Sequence, residues 1–398
     1  MTRPPIYLDY NATTPVDPRV LDAMHPCWEE HFGNPASTTH AYGWAAAALV
    51  DDARRRLAAG LDARPEEVIF TSGATEANNL AIKGTAWALR ERGGHLVTCA
   101  TEHKAVLDPC RRLASEGFDL TVVPVDADGV VDEEAFAAAL TPRTVLASVM
   151  LANNETGVLQ PVARLALLCR ERGVRFHCDA TQAVGRIPVS VASLNVDLLS
   201  CSAHKLYGPR GVGALVVKRT SPRQRLVPLL DGGGHQQGLR SGTLNAPGIV
   251  GFARAVELCL EDREAEAGRL AALRDRLSDA VAGGLEGVVE NGRDAPRLPN
   301  TVSLSFAGVD GGALLAGLGS VAVSSGSACT SADPSPSHVL LALGRSRQLA
   351  AASLRFSLGR WTTPEEIDEA AAAVVGEVSR LRRASPGWRR GRRGGGGE

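Results

Sequence analysis

Lysine is scarce in this 398-residue chain: Lys83, Lys104, Lys205 and Lys218 are its only four, and Arg supplies the remaining basic charge. Chemistry that needs a lysine amine therefore has four candidates. Aromatic residues make up 4% of the chain, too few to lay out stacking platforms for nucleic-acid bases. A formal net charge of -1 gives no basic field for polyanions, so neither nucleic acid nor a membrane is expected as a partner. The eight cysteines contain no CxxC pair, which sets aside structural zinc and thioredoxin-type chemistry, and no metal site is expected. No apolar run reaches the roughly 18 residues that a membrane helix requires. The N-terminal MTRPPIYLDYNATTP has no apolar stretch of signal-peptide length. A cytoplasmic protein with reduced thiols is the expectation.

What is present suits a globular protein, with 44% hydrophobic and 22% charged residues. At this length one ordinary core is not enough, and a large domain with a smaller companion is the natural arrangement. From about 65 to 218, short β-type runs alternate with helical stretches. Glu67–Thr71, His95–Cys99, Leu120–Val125, Thr144–Met150, Val174–Cys178, Asp197–Cys201 and Gly213–Val217 read as strands. Glu76–Arg92, Lys104–Glu116, Asp132–Leu140 and Ala163–Arg172 read as helices. Such alternation predicts an α/β fold with a mainly parallel sheet covered by helices, and a ligand crevice beyond the carboxyl ends of the strands.

After Gly251 an Ala/Leu/Arg/Glu-rich stretch to about Ala282 reads as one extended helix leading out of the large domain. Beyond it, strands at Asn300–Phe306, Val321–Ser324 and Ser353–Ser357 alternate with helices, which predicts a small α/β domain. The expected division is an arm over 1–20 that joins the small domain, a large domain over 21–255 and a small one over 256–385. The Gly/Arg-rich tail, 386–398, reads as disordered.

Five places carry candidate chemistry. In TSGATE, a small-residue turn from strand to helix offers free first-turn amides at Ala74 and a hydroxyl at Thr75; phosphate binding and a plain N-cap both remain open. In FHCDATQ a strand ends in Asp179, which is either a structural cap or an acid that keeps a pyridinium ring protonated, with Gln182 three residues on. In CSAHKLYGPR, Lys205 is either a surface lysine or a Schiff-base lysine, with Ser202 and His204 as possible phosphate donors. His103, at a strand-to-helix junction, is either a first-turn histidine or an imidazole laid over an aromatic ring. In SSGSACTSADPSPS, Cys329 has Ser, Ala and Thr as neighbours where a structural cysteine has apolar ones, a profile that favours a nucleophile on a mobile loop.

Together and in order, these segments resemble the cysteine desulfurases of the NifS/IscS type, in the class V aminotransferase family of fold type I. The likeness runs from Tyr7 to roughly Trp361. It includes GNPAS at Gly33, FTSGATEANNLAIKG at Phe70, TEHKAVLD at Thr101, NNETG at Asn153 and DATQAVG at Asp179, then HKLYGPRGVGAL at His204, RSGT at Arg240, SSGSACTS at Ser324 and SLRFSLGR at Ser353. The resemblance implies pyridoxal 5'-phosphate held by Lys205, with Asp179 on the ring nitrogen, Gln182 on the ring hydroxyl and His103 stacked on the ring. It implies Ala74, Thr75, Ser202 and His204 around the phosphate, with Thr243 reaching across from a second subunit of a homodimer with shared sites. Asn34, Asn154 and Arg355 would hold L-cysteine, Asn154 also lying against the cofactor, and Cys329 would become the persulfide. The product would be L-alanine. The sulfur would pass to an acceptor protein, an iron–sulfur scaffold or a tRNA-thiolation protein. Asp231 and Gln236 depart from the His and Glu common in the family, and Ala203 stands in place of a Gly.

Overall fold

The computed structural model describes residues 4–219, 224–325, 335–385 and 388. After a short first strand, Ile6–Tyr7 (β1), seven strands build the main sheet: Val68–Thr71 (β2), His95–Cys99 (β3), Asp119–Val123 (β4), Thr144–Ser148 (β5), Arg175–Asp179 (β6), Leu198–Ser202 (β7) and Gly213–Val217 (β8). Their order is β2-β8-β7-β6-β5-β3-β4. All neighbours from β7 to β4 pair in parallel, while β8 runs antiparallel to both β7 and β2. The expected mainly parallel sheet is borne out.

Successive strand residues enter different cores, as the two-residue period of a strand requires. Val68 and Phe70, Val97 and Cys99, and Ala214 and Val216 join one apolar cluster with Val50, Leu57 and Phe252. The alternate residues Ile69, Leu96 and Leu215 join another with Leu80, Ile82 and Leu113. Helices Ala41–Gly60 and Ala246–Glu261 cover the first face, and Ala74–Ala88 and Lys104–Ser115 the second. This burial on both sides is why the inner strands read as almost unbroken apolar runs.

The remaining strands are Val288–Glu290 (β9), Thr301–Phe306 (β10), Val321–Ala322 (β11), Ser324–Ser325 (β12) and Ser353–Ser357 (β13). An antiparallel sheet, β12-β13-β10-β9, carries its own core, in which Val302, Leu304 and Phe356 meet Leu277 and Val374 of the helices Arg263–Gly284 and Pro364–Ala384. Ile6 and Leu8 belong to this core, and β1 pairs with β11 in parallel.

Two expectations change. The extended helix is two, Ala246–Glu261 and Arg263–Gly284, parted at Asp262 (φ -108°, ψ 6°). The first packs on Ala41–Gly60 and the second on Pro364–Ala384, so the chain bends where it changes partner. Asp also favours helix ends over interiors. The strand expected at Val321–Ser324 is split into β11 and β12, which pair with β1 and β13 respectively.

Candidate active site

Strands β2, β6 and β7 end at one rim of the main sheet, and reversed β8 starts there. The segments that follow or precede these ends line a cavity of about 630 Å³. It brings together Ala74, Thr75, His103, Asn154, Asp179, Gln182, Ser202, His204, Lys205 and Arg355. The rim is tight: a Cβ on Gly213 would lie 2.7 Å from Cys201 O and from Gly73 Cα, so β8 approaches the TSGAT turn only through a glycine.

At that turn, the 15-residue helix Ala74–Ala88 begins with no side-chain cap. Its first amides, with Thr75 and Ser202, make a donor set for an anion. Burial, then the charge of Lys205, holds the His204 imidazole down at about 4, so it is a neutral donor or acceptor at pH 7. Asp179 closes β6. Its Oδ2 accepts from Asn78 Nδ2 (2.7 Å) and its Oδ1 from the Thr181 amide (3.0 Å). Two donors fix the orientation of the carboxylate.

Lys205 Nζ donates to Asn11 O and to Ala12 O (2.7 Å). Gln182 Nε2 shares the Asn11 carbonyl at 3.0 Å. Arg355, on β13 and only 4% exposed, donates to Asn154 O (2.9 Å) and to Asp9 Oδ1 (2.6 Å). Its Nε has no partner among the described residues. His103 caps the helix Lys104–Ser115: its Nδ1 accepts from the Ala105 amide (3.0 Å). The neutral ring therefore carries its proton on Nε2, and burial holds it below the ordinary histidine value. As placed, His103 offers the cavity an N–H.

The donor set fits pyridoxal phosphate. Thr75, Ser202 and the helix amides suit its phosphate, the Asp179 carboxyl its ring nitrogen, and Lys205 its aldehyde. Asn78 Oδ1 and Thr181 Oγ1, both buried beside Asp179, lack partners among the described residues, as expected where a ligand completes the network.

Asn34 and Thr243 do not line this cavity. Both are exposed, and Asn34 Oδ1 accepts from the Ala36 amide at 2.9 Å. Cys329 lies outside the described residues. The seven other cysteines are all buried. Burial pushes the thiols of Cys99, Cys110, Cys169, Cys201 and Cys259 up to about 12, and those of Cys27 and Cys178 upward as well. None is a thiolate at neutral pH.

Several contributors were not foreseen. Asn11 and Asn78 sit in the network around Lys205 and Asp179. Glu102 is fully buried, its Oε1 accepting from the Met150 amide (2.6 Å), and burial keeps its carboxyl well above the usual range. Its carbonyl meets His338 Nε2 at 2.9 Å, while Ser337 Oγ donates to Glu155 Oε2 at 2.5 Å. Burial pushes the Glu155 carboxyl up to about 7 from 4.5. Between those values the folded state binds more protons than the unfolded, so stability is lost as pH rises through 7. The deficit is at most about 3 kcal/mol. Glu155→Gln, whose oxygen still accepts from Ser337, is therefore expected to raise Tm by a few degrees at pH 8 and leave it unchanged at pH 4. An equal shift at both values would assign the effect to packing.

A two-faced α/β sheet whose rim combines an anion cup, a supported carboxylate and a lysine defines the fold type I class. The chain belongs to the aminotransferase class-V family, which it matches over residues 6–370. Within that family it groups with the cysteine desulfurases. It is 53% identical to the cysteine desulfurase IscS of Anaeromyxobacter sp. strain Fw109-5 over 382 residues, 96% of this chain and 94% of that one. It is 51% identical to the mitochondrial cysteine desulfurase of Arabidopsis thaliana, over 96% and 84%. Among solved structures, a NifS-like protein superposes with a TM-score of 0.87 at 37% identity, covering 95% of this chain and all of that one. SspA in complex with cysteine gives 0.79 at 35%, covering 90% and 100%. No helix among the described residues is long and apolar enough to cross a membrane.

Proposed function

We propose that this cavity desulfurates L-cysteine, yielding L-alanine and a persulfide on Cys329 that is passed to an acceptor protein for iron–sulfur cluster assembly or tRNA thiolation. The supporting observation is the gathering of Lys205, the doubly supported Asp179 and the buried fork of Arg355 around one cavity. Bound there, pyridoxal phosphate supplies an electron-withdrawing ring conjugated to the α-carbon of the amino acid.

The chain's own residues do the rest. Arg355 receives the cysteine carboxylate, with Asn154 beside it, and so sets which α-substituent faces the lysine. Lys205 Nζ, freed from the carbonyls of Asn11 and Ala12, takes the proton from the α-carbon and returns it nearby. Asp179, held in place by its two donors, would pair with the ring nitrogen. The Cys329 thiolate attacks the substrate sulfur; an S–S bond forms, the Cβ–S bond breaks, and a proton on Cβ completes alanine. His103 can give a proton from Nε2. To take the thiol proton it must first release Nδ1 from the Ala105 amide.

A second copy of the chain completes the reading. Trp28, Phe32, Tyr42 and Trp44 are each more than half exposed and flank Asn34. Four such aromatics in one short segment suit a covered interface. Thr243, exposed on one chain, would then serve the partner's phosphate cup. Thr243→Ala is expected to speed cofactor loss from the dimer about tenfold, the weight of one charge-assisted hydrogen bond. Full cofactor retention by a sedimenting monomer would end that part. The reaction itself is tested by incubating holoenzyme with cysteine, measuring alanine, and weighing the Cys329 peptide before and after. Alanine without added sulfur on that peptide would remove Cys329 from the pathway.

A further inference from the structure

Arg186 lies four residues beyond Gln182 and is not part of the cavity lining. It borders instead a void of about 20 Å³ behind the site, shared with Lys205, Tyr207 and Glu266. Among the described residues its guanidinium donates only to neutral oxygens: Gln182 Oε1, Gln182 O at 3.1 Å, Tyr10 O at 3.4 Å and Lys205 O at 3.5 Å. One side chain thus ties the N-terminal arm, the Asp179–Gln182 turn and the Lys205 backbone together.

The consequence is chemical as well as mechanical. A carboxamide can turn over and exchange its oxygen and nitrogen, and the surroundings decide which end points where. A guanidinium has donors and no acceptor, so the Gln182 atom facing Arg186 must be oxygen. A backbone carbonyl only accepts, so the atom facing Asn11 O at 3.0 Å must be nitrogen. Two independent neighbours impose the same orientation. One N–H of Nε2 is committed to Asn11, and the second is the donor that Gln182 has left for the cavity.

We propose that Arg186 is a positioning residue that locks Gln182 so that a cofactor oxygen meets an N–H and never a carbonyl. The proposal rests on the pyridoxal phosphate reading above. An N–H favours that oxygen in its deprotonated form, whereas a flipped amide would repel it. Arg186 touches neither cofactor nor substrate. The cavity's own titratable groups, Glu76, His103, Asp179, His204 and Lys205, and its cations Arg210 and Arg355, stay in place in every variant below.

The test is a pH titration of the visible absorption band of reconstituted holoenzyme. Arg186→Met is expected to raise the midpoint by about one unit, a tenfold change in proton affinity. Gln182→Met should do the same, and the pair should shift no further than either alone. A simple field effect of the lost cation would instead persist in the Gln182→Met background, and that result overturns the proposal. So does a folded, loaded Arg186→Met with the wild-type midpoint. Arg186→Gln, neutral but still able to donate to Oε1, should restore most of the wild-type value. Should Arg186→Met not fold, Gln182→Met alone removes the N–H and adds no charge. Its midpoint must also rise, and an unmoved one overturns the proposal. Wild-type protein with no visible band would overturn the cofactor reading itself, and the proposal with it.

Discussion

Lys205→Ala protein is expected to emerge colourless from reconstitution and to form alanine from cysteine at least about a thousandfold more slowly, the scale of a lost proton-transfer group. The chain offers no substitute. Lys83, Lys104 and Lys218 are its other lysines, and none lines the cavity. The loss should be chemical and not a collapse of the fold, because the carbonyls of Asn11 and Ala12 that Nζ bonds lie at the cavity wall, where water can serve them once the side chain is gone. Tm should stay within a few degrees of wild type. A visible band of wild-type strength in Lys205→Ala would remove this lysine from the chemistry.

Cys329→Ser should show the opposite pattern, with an unchanged visible band and sulfide release reduced by about a thousandfold or more. The hydroxyl is a poor thiophile, since it is hardly ionised at neutral pH. No other described cysteine can replace it. All seven are buried, and those at about 12 ionise some five decades above pH 7. Substrate binding should survive, because Arg355 and Asn154 are untouched; a spectral change on adding cysteine to the variant checks this. Retained sulfide release would eliminate Cys329 and direct attention to free thiols in solution as the attacking group.

What could be read from the sequence was the part governed by local pattern. Asp179 and Lys205 stood out because polar residues follow apolar strands, and the fold turns such junctions toward one rim. Asn78 and Arg186 gave no signal. An Asn within a helix, or an Arg a turn beyond one functional residue, looks like any solvated side chain until the neighbouring strand is in place. Glu102 was hidden for a similar reason: its burial depends on the Met150 amide, 48 residues away. The bend at Asp262 was invisible because it arises from a change of packing partner rather than from a Gly or Pro. Gln236 is instructive among the departures. Its amide pairs with both Phe70 N and Phe70 O at 2.7 Å, so it satisfies the outer edge of β2 much as another strand would.

Arg355 bonds Asp9, Asn11 N donates to Ser357 Oγ at 2.9 Å, and Ser357 N donates to Leu8 O at 2.8 Å. The carbonyl that receives Lys205 thus hangs on a segment clasped by one 346 residues further along the chain. Until Ser357 has cleared the ribosome, a nascent polypeptide can own a finished main sheet yet lack the clasp on its catalytic amine. A product that stops between the main sheet and that serine keeps much of its apolar core and lacks the clasp.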